Sequence, residues 1–400
     1  MLFRVAMESV QNDRPEAGIY RNPEPFSVTA QGLDLTFYPS GADRLEALLG
    51  MIAQARRSLR LCFYIFAIDD CAAMVRDALT AAAERGVTVT LILDDYGSLA
   101  DDDFLSSLIA AGGKVQRFSA RWSARYLIRN HQKMLIVDDT AALIGGFNIE
   151  QAYFDPPEEN GWNDLAVRVE GREVIRLAEW FMLLEGWTSG RPVKLLDARR
   201  QASRWNAGSG TVRWLVGGPS QRLSPWASCV LGDIERAKRL DMMVAYFSPR
   251  RGIVRRIARV AQRGKVRLML AAKSDNAATV GAARSLYGRM LRRGAEIYEF
   301  EPCKLHSKLI VVDSAVYIGS ANFDMRSLYI NLEMMLRIED AALAERLRGF
   351  IGEHIPHATQ ITPQLHARRR TSWNRFRWWL CWWLVAVADY TVTRRLNLGL

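Results

Sequence analysis

Two segments of this 400-residue sequence share one uncommon pattern of polar residues. Residues 131–148 read HQKMLIVDDTAALIGGFN, and residues 306–322 read HSKLIVVDSAVYIGSAN. Both contain H-x-K-x4-D followed by G-G-x-N or G-S-x-N. Ahead of each segment, at 59–95 and 239–273, a helix-like amphipathic run stands between two apolar runs, which predicts β–α–β units. The chain is therefore expected to be an α/β protein made of two similar halves.

The repeat and local changes in composition predict four regions. Glycine, proline, serine and arginine accumulate near 188–210, where we expect the two halves to meet. The first thirty residues contain acidic residues and prolines but no long apolar run, so no secretory signal is expected. The predicted regions are an N-terminal extension at 1–32, a first half at 33–195, a second half at 205–345 and a tryptophan- and arginine-rich C-terminal tail at 346–400.

The charge balance indicates an anionic partner. The chain has 54 Lys and Arg residues against 43 Asp and Glu, a formal net charge of +11. Such an excess suits nucleic acid, an anionic membrane or a phosphorylated substrate. Only eight of the basic residues are lysines, so a lysine in both repeated motifs is informative. Five scattered cysteines without a C-x-x-C pair argue against a disulfide framework or a structural zinc site and favour a reducing cytosol.

Strand geometry places the motif histidines and lysines together. Side chains two positions apart in a strand point to the same side of the sheet. His131 should therefore share a face with Lys133, and His306 with Lys308. The apolar residues that follow each lysine are expected to continue the strand into the core.

The remaining motif residues are expected to act differently. Asp138 and Asp313 belong to the same catalytic motif but lie seven positions after their histidines, so strict alternation points them away from the imidazoles. We expect them to be orienting or structural groups at the strand ends. The small residues that come next allow a neighbouring strand to approach closely, which would bring Asn148 and Asn322 beside the histidines.

If the halves pack about a pseudo-twofold axis, two histidines, two lysines and two asparagines converge on one tetrahedral phosphoryl group. Lysine and asparagine would stabilise charge on the non-bridging oxygens. One histidine would attack phosphorus to form a covalent phosphohistidine, and the other would protonate the departing oxygen. No cluster has clear metal-ligand spacing, so we expect no metal and no other cofactor. Water as acceptor would give hydrolysis, and an alcohol would give transfer.

At these motifs the sequence resembles the phospholipase D superfamily, whose hallmark is a duplicated HKD motif, over about residues 33–345. The resemblance implies two α/β halves, each a mixed sheet flanked by helices, with the active site at their pseudo-twofold interface. Within the superfamily the chain is most similar to bacterial cardiolipin synthases of the shorter type, which lack N-terminal transmembrane helices. The segments that carry this similarity are YIFAIDD at 64–70, AAAERGVTVTLILDDYGS at 81–98, IGGFNIEQAYF at 144–154, WNDLAVRVEG at 162–171, YFSP at 246–249 and GSANFDMRSLYINLE at 319–333.

The resemblance also implies roles for individual residues. His131 and His306 become nucleophile and general acid/base, with the order left open. Glu333 matches the family's acidic residue that orients an active-site histidine, and Asp164 looks like its counterpart in the first half. Gly146 stands where many relatives have serine. The residues that match the family's phosphate ligands are Lys133, Lys308, Asn148, Asn322 and Ser320.

The first half carries seven extra residues just before its motif histidine. Arg121, Arg125 and Arg129 lie in this insert, together with Trp122 and Tyr126. One interpretation is a surface loop whose length has drifted. The other is a basic, aromatic lip that holds an anionic headgroup while its rings sit at a membrane interface.

The C-terminal tail favours contact with a lipid surface. Residues 368–395 contain five of the twelve tryptophans, with arginines on both sides. Tryptophan is enriched at membrane interfaces and arginine pairs with anionic headgroups, so we expect an in-plane amphipathic anchor. The alternative is a final helix packed on the core. The apolar run at 378–388 would be about 16 Å long as a helix, too short for a bilayer core of about 30 Å.

Three functions are compatible with these features. The first is a phosphatidyltransferase that makes cardiolipin from phosphatidylglycerol and a second glycerophospholipid. The second is a hydrolytic phospholipase D that releases phosphatidic acid, or a phosphodiesterase or nuclease of the same superfamily. The third is non-enzymatic binding to membrane or DNA, which two intact motifs disfavour.

The tail decides which partners we expect. It favours lipid over nucleic acid, so the expected partners are anionic glycerophospholipids and a membrane surface, with no obligate nucleic acid. The expected location is the cytoplasmic face of the bacterial inner membrane, as a peripheral protein. The oligomeric state is left open by the sequence.

Overall fold

The computed structural model describes residues 20–119, 128–189, 195–218 and 223–388. Within them, the strands form two eight-stranded sheets and two short two-stranded pairs. The strands are β1 (Phe26–Ala30), β2 (Leu33–Tyr38), β3 (Ser58–Phe63), β4 (Thr88–Asp94), β5 (Lys114–Phe118), β6 (Met134–Val137), β7 (Ala141–Gly145), β8 (Trp162–Asn163), β9 (Ala166–Glu170), β10 (Val212–Val216), β11 (Arg239–Val244), β12 (Phe247–Ser248), β13 (Lys265–Ala271), β14 (Glu296–Phe300), β15 (Lys304–Leu305), β16 (Lys308–Val312), β17 (Ala315–Gly319), β18 (Phe323–Asp324), β19 (Met334–Glu339) and β20 (Ala358–Gln360).

Helices cover the faces of both sheets. Short 3-10 turns at Gln151–Tyr153, Pro157–Glu159 and Ile355–His357 and a π-helical turn at Leu384–Ala388 complete the described elements. The α-helices are α1 (Gly41–Gln54), α2 (Asp70–Glu84), α3 (Ser106–Ala110), α4 (Val174–Thr188), α5 (Leu195–Arg204), α6 (Pro225–Arg236), α7 (Arg251–Arg263), α8 (Ala277–Leu291), α9 (Met325–Tyr329), α10 (Ala341–Glu353), α11 (Pro363–Arg369) and α12 (Ser372–Trp383).

The first sheet is mixed and has the strand order β1-β2-β9-β7-β6-β3-β4-β5. Strands β3, β4 and β5 are parallel, since α2 and α3 carry the chain back between them. All other neighbours in the sheet are antiparallel. The β–α–β pattern of the sequence therefore accounts for three of the eight strands.

The second sheet repeats this arrangement, in the order β10-β19-β17-β16-β11-β13-β14-β20. Its run β19-β17-β16-β11-β13-β14 matches β9-β7-β6-β3-β4-β5 of the first sheet in order and in strand direction. The sheets differ at their edges, where β1 extends the first and β20 extends the second. The predicted fold class, two similar mixed α/β halves, is confirmed.

Local sequence fixes the helix that follows the first parallel strand of each half. At the start of α2, the side chain of Asp69 accepts a hydrogen bond from the backbone N–H of Ala72 at 2.8 Å. Gly86 follows α2 with a φ of +89°, in the left-handed region that glycine tolerates. Gly264 follows α7 for another reason: a Cβ there would lie 1.8 Å from the carbonyl oxygen of Lys238.

A shared apolar core joins the two halves. One continuous cluster of buried side chains contains Met134 and Trp180 of the first half together with Trp214 and Leu309 of the second. Each half also buries a cluster of its own under its outer helices. The indole N–H of Trp180 donates to the side chain of Gln132 at 3.1 Å. The shared core therefore fixes the segment that carries the first motif histidine.

The limits of the halves differ from those expected from sequence. β1 lies within residues 1–32 and forms an edge of the first sheet, so this sheet begins before residue 33. α10 crosses residue 346, and β20 beyond it forms an edge of the second sheet. Within the described residues, no helix is both long enough and apolar enough to cross a bilayer.

Candidate active site

A cavity of about 630 Å³ opens at the interface between the two halves. Both motif histidines and both motif asparagines belong to its wall. They meet there because each motif enters its sheet at the same strand of the repeat, β6 in one half and β16 in the other. Tyr64, Arg129, Tyr153, Tyr246, Leu384 and Val385 also line the cavity.

The first motif histidine is held by the second half of the chain. The backbone N–H of His131 donates to the carbonyl oxygen of Leu332 at 2.9 Å, which places Glu333 beside the imidazole. Nδ1 of His131 lies 3.1 Å from Oε2 of Glu333. This fully buried carboxylate also accepts hydrogen bonds from Ser320 at 2.5 Å and Ser327 at 2.7 Å. An acid fixed in this way keeps the proton on Nδ1 and leaves Nε2 for the cavity.

The second motif histidine is held by the first half in the same manner. The backbone N–H of His306 donates to the carbonyl oxygen of Asn163 at 2.7 Å, and its Nδ1 lies 2.7 Å from Oδ2 of Asp164. The rings of Tyr153 and Trp162 pack against the imidazole with centroid distances of 5.0 and 4.9 Å. The hydroxyl of Tyr153 lies 3.4 Å from Nε2. This histidine is enclosed by aromatic rings.

Strand register shows that the two acids are equivalent. β7 pairs with β9, and β17 pairs with β19. Asp164 and Glu333 each lie two residues before the residue that pairs with Gly145 or Gly319, respectively. Each acid therefore occupies the same position in its own half and serves the histidine of the other half.

The motif positions next to these acids differ between the halves. A Cβ at Gly146 would lie 2.7 and 2.8 Å from the carboxylate oxygens of Asp164 and 2.8 Å from Cδ of Lys308, so this position has no room for a side chain. The second half has Ser320 there, and its hydroxyl donates to Glu333. The sequence assigned Ser320 to the substrate phosphate, whereas in the structure its hydroxyl hydrogen is used on Glu333.

Each motif lysine contacts the motif histidine that lies two positions before it. Nζ of Lys133 donates to the carbonyl oxygen of His131 at 2.8 Å. Nζ of Lys308 contacts the carbonyl oxygen of His306 and lies 2.8 Å from its Nδ1. Burial lowers the pKa of Lys133 to about 7 and that of Lys308 to about 8, because a charged ammonium group loses its hydration there. An anion in the cavity would oppose this effect and favour the charged lysines.

The same environment keeps both imidazoles neutral and both carboxylates ionised at neutral pH. Burial lowers the pKa of His131 to about 4 and that of His306 to about 3, although the facing carboxylates oppose the shift. Burial alone would raise the carboxylate pKa values. The neighbouring histidine and lysine outweigh it and hold the pKa of Glu333 and of Asp164 below the ordinary values.

The two motif asparagines are used differently. The side chain of Asn148 accepts from the backbone N–H of Ile65 at 3.1 Å and donates to the hydroxyl of Tyr153 at 2.9 Å. Oδ1 of Asn322 is buried without a hydrogen-bond partner among the described residues, and so is Oδ1 of Asn331 in the same wall. Asn148 therefore holds Tyr153, while Asn322 remains available to a ligand.

The motif aspartates lie at the opposite ends of β6 and β16 from the histidines. Both have left-handed backbone conformations, with φ of +52° at Asp138 and +46° at Asp313. The carboxylate of Asp138 accepts from the backbone N–H groups of residues 56–58. That of Asp313 accepts from those of residues 238 and 239. Each aspartate thus ties the turn after its motif strand to the start of the adjacent antiparallel strand, β3 in the first half and β11 in the second.

Three further residues shape the site and were not assigned from the sequence. Arg44 of α1 is fully buried and donates to the carbonyl oxygens of Pro39, Tyr153, Trp162 and Asp164 at 2.6 to 3.1 Å. It thereby fixes the loop that surrounds His306. Tyr153 and Trp162 lie in segments that carried the family resemblance, and that signal marks them as candidates. No such signal distinguishes Arg44 from the other arginines.

Of the three arginines predicted to form a lip, the structure describes only Arg129, at the C-terminal end of the insert. Arg121 and Arg125 lie outside the described residues. Arg129 donates to the hydroxyl of Tyr64 at 3.1 Å, and its guanidinium lies 4.3 Å from the ring centroid of Tyr96. Of the three predicted residues, Arg129 therefore has an observed place in the cavity wall.

The C-terminal tail has one of the two arrangements considered from its sequence, a final helix packed on the protein, while the membrane anchor stays a prediction. α12 packs on α8, and Trp378 is 4% exposed and stacks on His366 with a centroid distance of 5.7 Å. The opposite side of the helix carries large exposed side chains. These are Trp373, Phe376, Trp379, Leu380 and Trp383, between 36% and 69% exposed.

Two repeated halves that each supply a histidine, a lysine and the acid for the opposite histidine define an enzyme of the phospholipase D class. The chain belongs to the family described as "Cardiolipin synthase, PLD-like domain", whose model matches residues 48–181 and 230–354. The matched ranges contain both histidine motifs and both acids. The family resemblance found in the sequence is confirmed, and the protein is a phosphatidyltransferase-type enzyme of this superfamily.

Cardiolipin synthases of three bacteria are similar over most of the chain. The cardiolipin synthase of Listeria monocytogenes serotype 4b (strain CLIP80459) is 27% identical over 362 residues, which cover 88% of this chain and 74% of that protein. Cardiolipin synthase A of Cronobacter sakazakii is 29% identical, covering 86% and 74%. The major cardiolipin synthase ClsA of Bacillus subtilis (strain 168) is 28% identical, covering 82% and 70%.

Two solved structures have a similar fold. The phosphatidylserine synthase of Haemophilus influenzae Rd KW20 superimposes with a TM-score of 0.67 at 13% identity, covering 92% of this chain and 96% of that one. The polyphosphate kinase of Porphyromonas gingivalis gives a TM-score of 0.57 at 14% identity, covering 91% and 53%. At these identities the similarity establishes the fold alone.

Proposed function

We propose that this protein makes cardiolipin by transferring a phosphatidyl group from one glycerophospholipid to the free hydroxyl of phosphatidylglycerol. The transfer proceeds through a covalent phosphohistidine and needs no metal ion. The observation that carries this proposal is the crossed arrangement of His131 with Glu333 and His306 with Asp164 in one cavity. Such pairs leave two imidazole Nε2 atoms free to work on one phosphodiester.

In the first step His131 acts as the nucleophile. Its imidazole side chain is 14% exposed against 5% for His306. Its Nε2 has no hydrogen-bond partner in the part of the chain that the structure describes. Nε2 of His131 attacks phosphorus, the bond from phosphorus to the headgroup oxygen breaks, and Nε2 of His306 donates a proton to that oxygen. His306 takes up this proton when the anionic phosphodiester binds, because the phosphate and Asp164 both favour the imidazolium form.

In the second step the acceptor lipid replaces the departed headgroup alcohol. His306, now neutral, removes the proton from the acceptor hydroxyl. The hydroxyl oxygen attacks phosphorus, the bond between phosphorus and Nε2 of His131 breaks, and the free enzyme returns. The same two histidines exchange acid and base roles between the steps.

The lysines and Asn322 support the phosphoryl group in both steps. Lys133 and Lys308 provide positive charge beneath the histidines, which stabilises the developing charge on the non-bridging oxygens. Asn322 is proposed as a direct ligand because it lines the cavity together with both histidines, where its amide N–H groups can donate to a phosphate oxygen. Asn148 is proposed to act through Tyr153.

Lipid substrates fit the surroundings of the cavity. Tyr96, which is 67% exposed, contacts the cavity-lining Arg129, and Leu99 of the same loop is 70% exposed. Leu384 and Val385 of the tail line the cavity itself. We therefore assign the substrates to anionic glycerophospholipids and the protein to the membrane surface, peripherally, on the cytoplasmic side of the bacterial inner membrane.

A product assay tests the proposal directly. The full chain is incubated with phosphatidylglycerol vesicles in excess chelator, and products are identified by mass spectrometry. We expect cardiolipin and glycerol from the wild type, and neither from His131→Ala or His306→Ala. His357→Ala, a histidine outside the cavity, should retain activity. Phosphatidic acid without cardiolipin would instead identify a hydrolase, and dependence on added metal would refute the metal-independent mechanism.

A trapping experiment assigns the nucleophile. A phosphatidyl p-nitrophenol donor is used, because its leaving group departs without protonation. His306→Ala should then release about one p-nitrophenol per protein and retain a covalent, acid-labile phosphatidyl group. His131→Ala should retain none. The reverse result would exchange the two roles, and no adduct in either variant would refute the covalent mechanism.

A further inference from the structure

A second cavity of about 530 Å³ lies between α7, α8 and the tail, separate in its lining from the catalytic one. α8 contributes residues 284–286, and the tail contributes residues of α11, α12 and the short connection between them. The first motif and the second motif contribute none of the lining residues. Nothing in the catalytic mechanism uses this cavity.

The wall of the second cavity is cationic. Arg251, Arg284, Arg370 and Arg375 line it, and no acidic residue does. Arg284 is neutralised by two hydrogen bonds of 2.8 Å to Glu299. The other three arginines form no ion pair with a carboxylate anywhere in the described residues. Three uncompensated guanidinium groups around one cavity favour an anion.

Two tryptophans of the wall add unused donors. Trp378 and Trp382 line the cavity, and the indole N–H of each is buried without a hydrogen-bond partner among the described residues. A buried donor left without a partner has lost its hydration without replacement, which favours a ligand that accepts from it. The guanidinium of Arg251 also lies 4.8 Å from the ring centroid of Trp382. Indole and guanidinium N–H groups together match the oxygens of a phosphate.

The rim of the cavity is suited to a lipid interface. Phe376 and Trp379 belong to the lining and are 50% and 46% exposed. Trp373 and Trp383 continue the exposed side of α12 at spacings of three or four residues, which places all four rings on one side of the helix. Tryptophan next to arginine is the combination found at the boundary between lipid tails and headgroups.

We propose that the second cavity binds the headgroup phosphate of an anionic membrane phospholipid, while the exposed rings of α12 enter the same leaflet. A lipid phosphate fits this site better than a free phosphate ion because the exposed rings of α12 adjoin the cationic wall, and Phe376 and Trp379 belong to the same lining. The π-helical turn after α12 lines the catalytic cavity through Leu384 and Val385. A lipid bound at the tail therefore sets the mouth of the catalytic cavity against the bilayer. This inference rests on the tail alone and does not require the proposed reaction.

Vesicle flotation of the full chain tests the site with a matched charge control. The cavity variant R251Q/R375Q and the control variant R368Q/R377Q each lose two exposed arginines, but Arg368 and Arg377 lie outside the lining. On phosphatidylglycerol vesicles we expect the cavity variant to bind about tenfold more weakly than the control. Both variants lose the same long-range attraction, so the difference measures contact inside the cavity. Equal losses in the two variants would overturn the proposal.

Two further measurements test whether the bound phosphate belongs to a lipid or is soluble, and whether the indole N–H groups contribute to binding. Trp378→Phe keeps an aromatic side chain but removes the indole N–H group, and we expect it to weaken vesicle binding, as R251Q/R375Q does. Tryptophan fluorescence is titrated with inorganic phosphate and with glycerol 3-phosphate, and we expect no saturation at millimolar concentrations. Saturation that is lost in R251Q/R375Q would identify a site for soluble phosphate and would overturn the lipid assignment.

Activity toward a soluble short-chain phosphatidylglycerol distinguishes this proposal from the proposed function. R251Q/R375Q should keep the wild-type kcat on that substrate while losing activity on vesicles. A loss on both substrates would show that the arginines support the fold or the reaction and not membrane docking.

Discussion

The two halves of the active site have the same backbone and different surroundings. His306 is enclosed by Tyr153 and Trp162, whereas His131 has Tyr64 beside it at a centroid distance of 5.2 Å and has the more exposed side chain, 14% against 5%. The acid of His131 is supported by two serine hydroxyls, while the acid of His306 accepts from the backbone N–H of Leu165 at 2.7 Å. The repeat thus supplies two equivalent histidine–acid pairs, and the side chains around them make one pair open and the other closed.

This difference suggests a division of labour. The open histidine is suited to forming and breaking a bond to phosphorus, since it needs access to the substrate. The enclosed histidine is suited to moving a proton, since its ring orientation is fixed by packing on two sides. A substitution in one half can be compared with a substitution at the equivalent position of the other half, which serves as its reference.

Removing the acids should have the largest effect. Asp164→Asn and Glu333→Gln should each lower kcat by about 10²- to 10⁴-fold, because an amide no longer favours a charged imidazole ring. With the p-nitrophenol donor the two acid variants should behave differently. Asp164→Asn should keep a burst of product release, and Glu333→Gln should lose it. The exposed Glu46→Gln is the control, and identical burst behaviour in both acid variants would contradict the division of labour.

Adding a side chain at Gly146, the glycine of the first motif, should have the second-largest effect on kcat. Gly146→Ala places a Cβ within 2.8 Å of both carboxylate oxygens of Asp164, and a displaced acid should lower kcat by about 10²-fold. Gly186→Ala has open space around it and should have little effect. Ser320→Gly, the reverse change in the second half, should lower kcat by about tenfold at most, because Ser327 still supports Glu333. Comparable losses at positions 146 and 320 would show that the asymmetry is unimportant.

Removing the hydroxyl of Tyr153 or of Tyr64 should change kcat by smaller factors, which differ between the two residues. Tyr153→Phe removes the hydroxyl near Nε2 of His306 and leaves Asn148 without its acceptor, so kcat should fall by about tenfold. Tyr64→Phe removes a hydroxyl that contacts Arg129 and not the imidazole, so kcat should change little. Steady-state kinetics on short-chain lipid measures both, and a larger loss at Tyr64 would reverse the assignment.

The pH profile should show the smallest difference. The lysine pKa values of about 7 and about 8 mean that the free enzyme loses positive charge as the pH rises, first at Lys133 and then at Lys308. kcat/KM should therefore fall on the alkaline side. Lys133→Arg should move this fall to higher pH because arginine stays charged, while Lys308→Arg should leave its start near pH 7. A profile that is flat from pH 6 to 9 would contradict a role for lysine charge in substrate binding.

The sequence was sufficient for those features that depend on repetition. Two copies of one motif predicted two halves, a shared site and the residues at its centre, because His131 and Lys133 recur at the same spacing as His306 and Lys308. Local alternation also indicated that Asp138 and Asp313 point away from the imidazoles. These features follow from short-range geometry, which the sequence contains.

Features that depend on contacts across the interface were not available from the sequence. The hydrogen bond from Ser320 to Glu333 crosses no recognisable sequence spacing, and the position of Arg44 depends on four carbonyl groups that meet only in the folded protein. The edge strands β1 and β20 were missed because a single short strand has no periodicity to mark it. The tail was expected either to pack or to face the membrane; α12 packs on α8 through one side, and membrane contact of its exposed side stays a prediction.

The crossed acids also bear on how the enzyme is made. His131 is separated from Glu333 by 202 positions in the chain. During synthesis the first histidine therefore emerges from the ribosome long before the residue that orients it. A chain that ends before residue 333 lacks the acid that orients His131, and it also lacks part of the shared core that fixes the segment around this histidine. Both histidine–acid pairs are therefore present together only after residue 333 has been made.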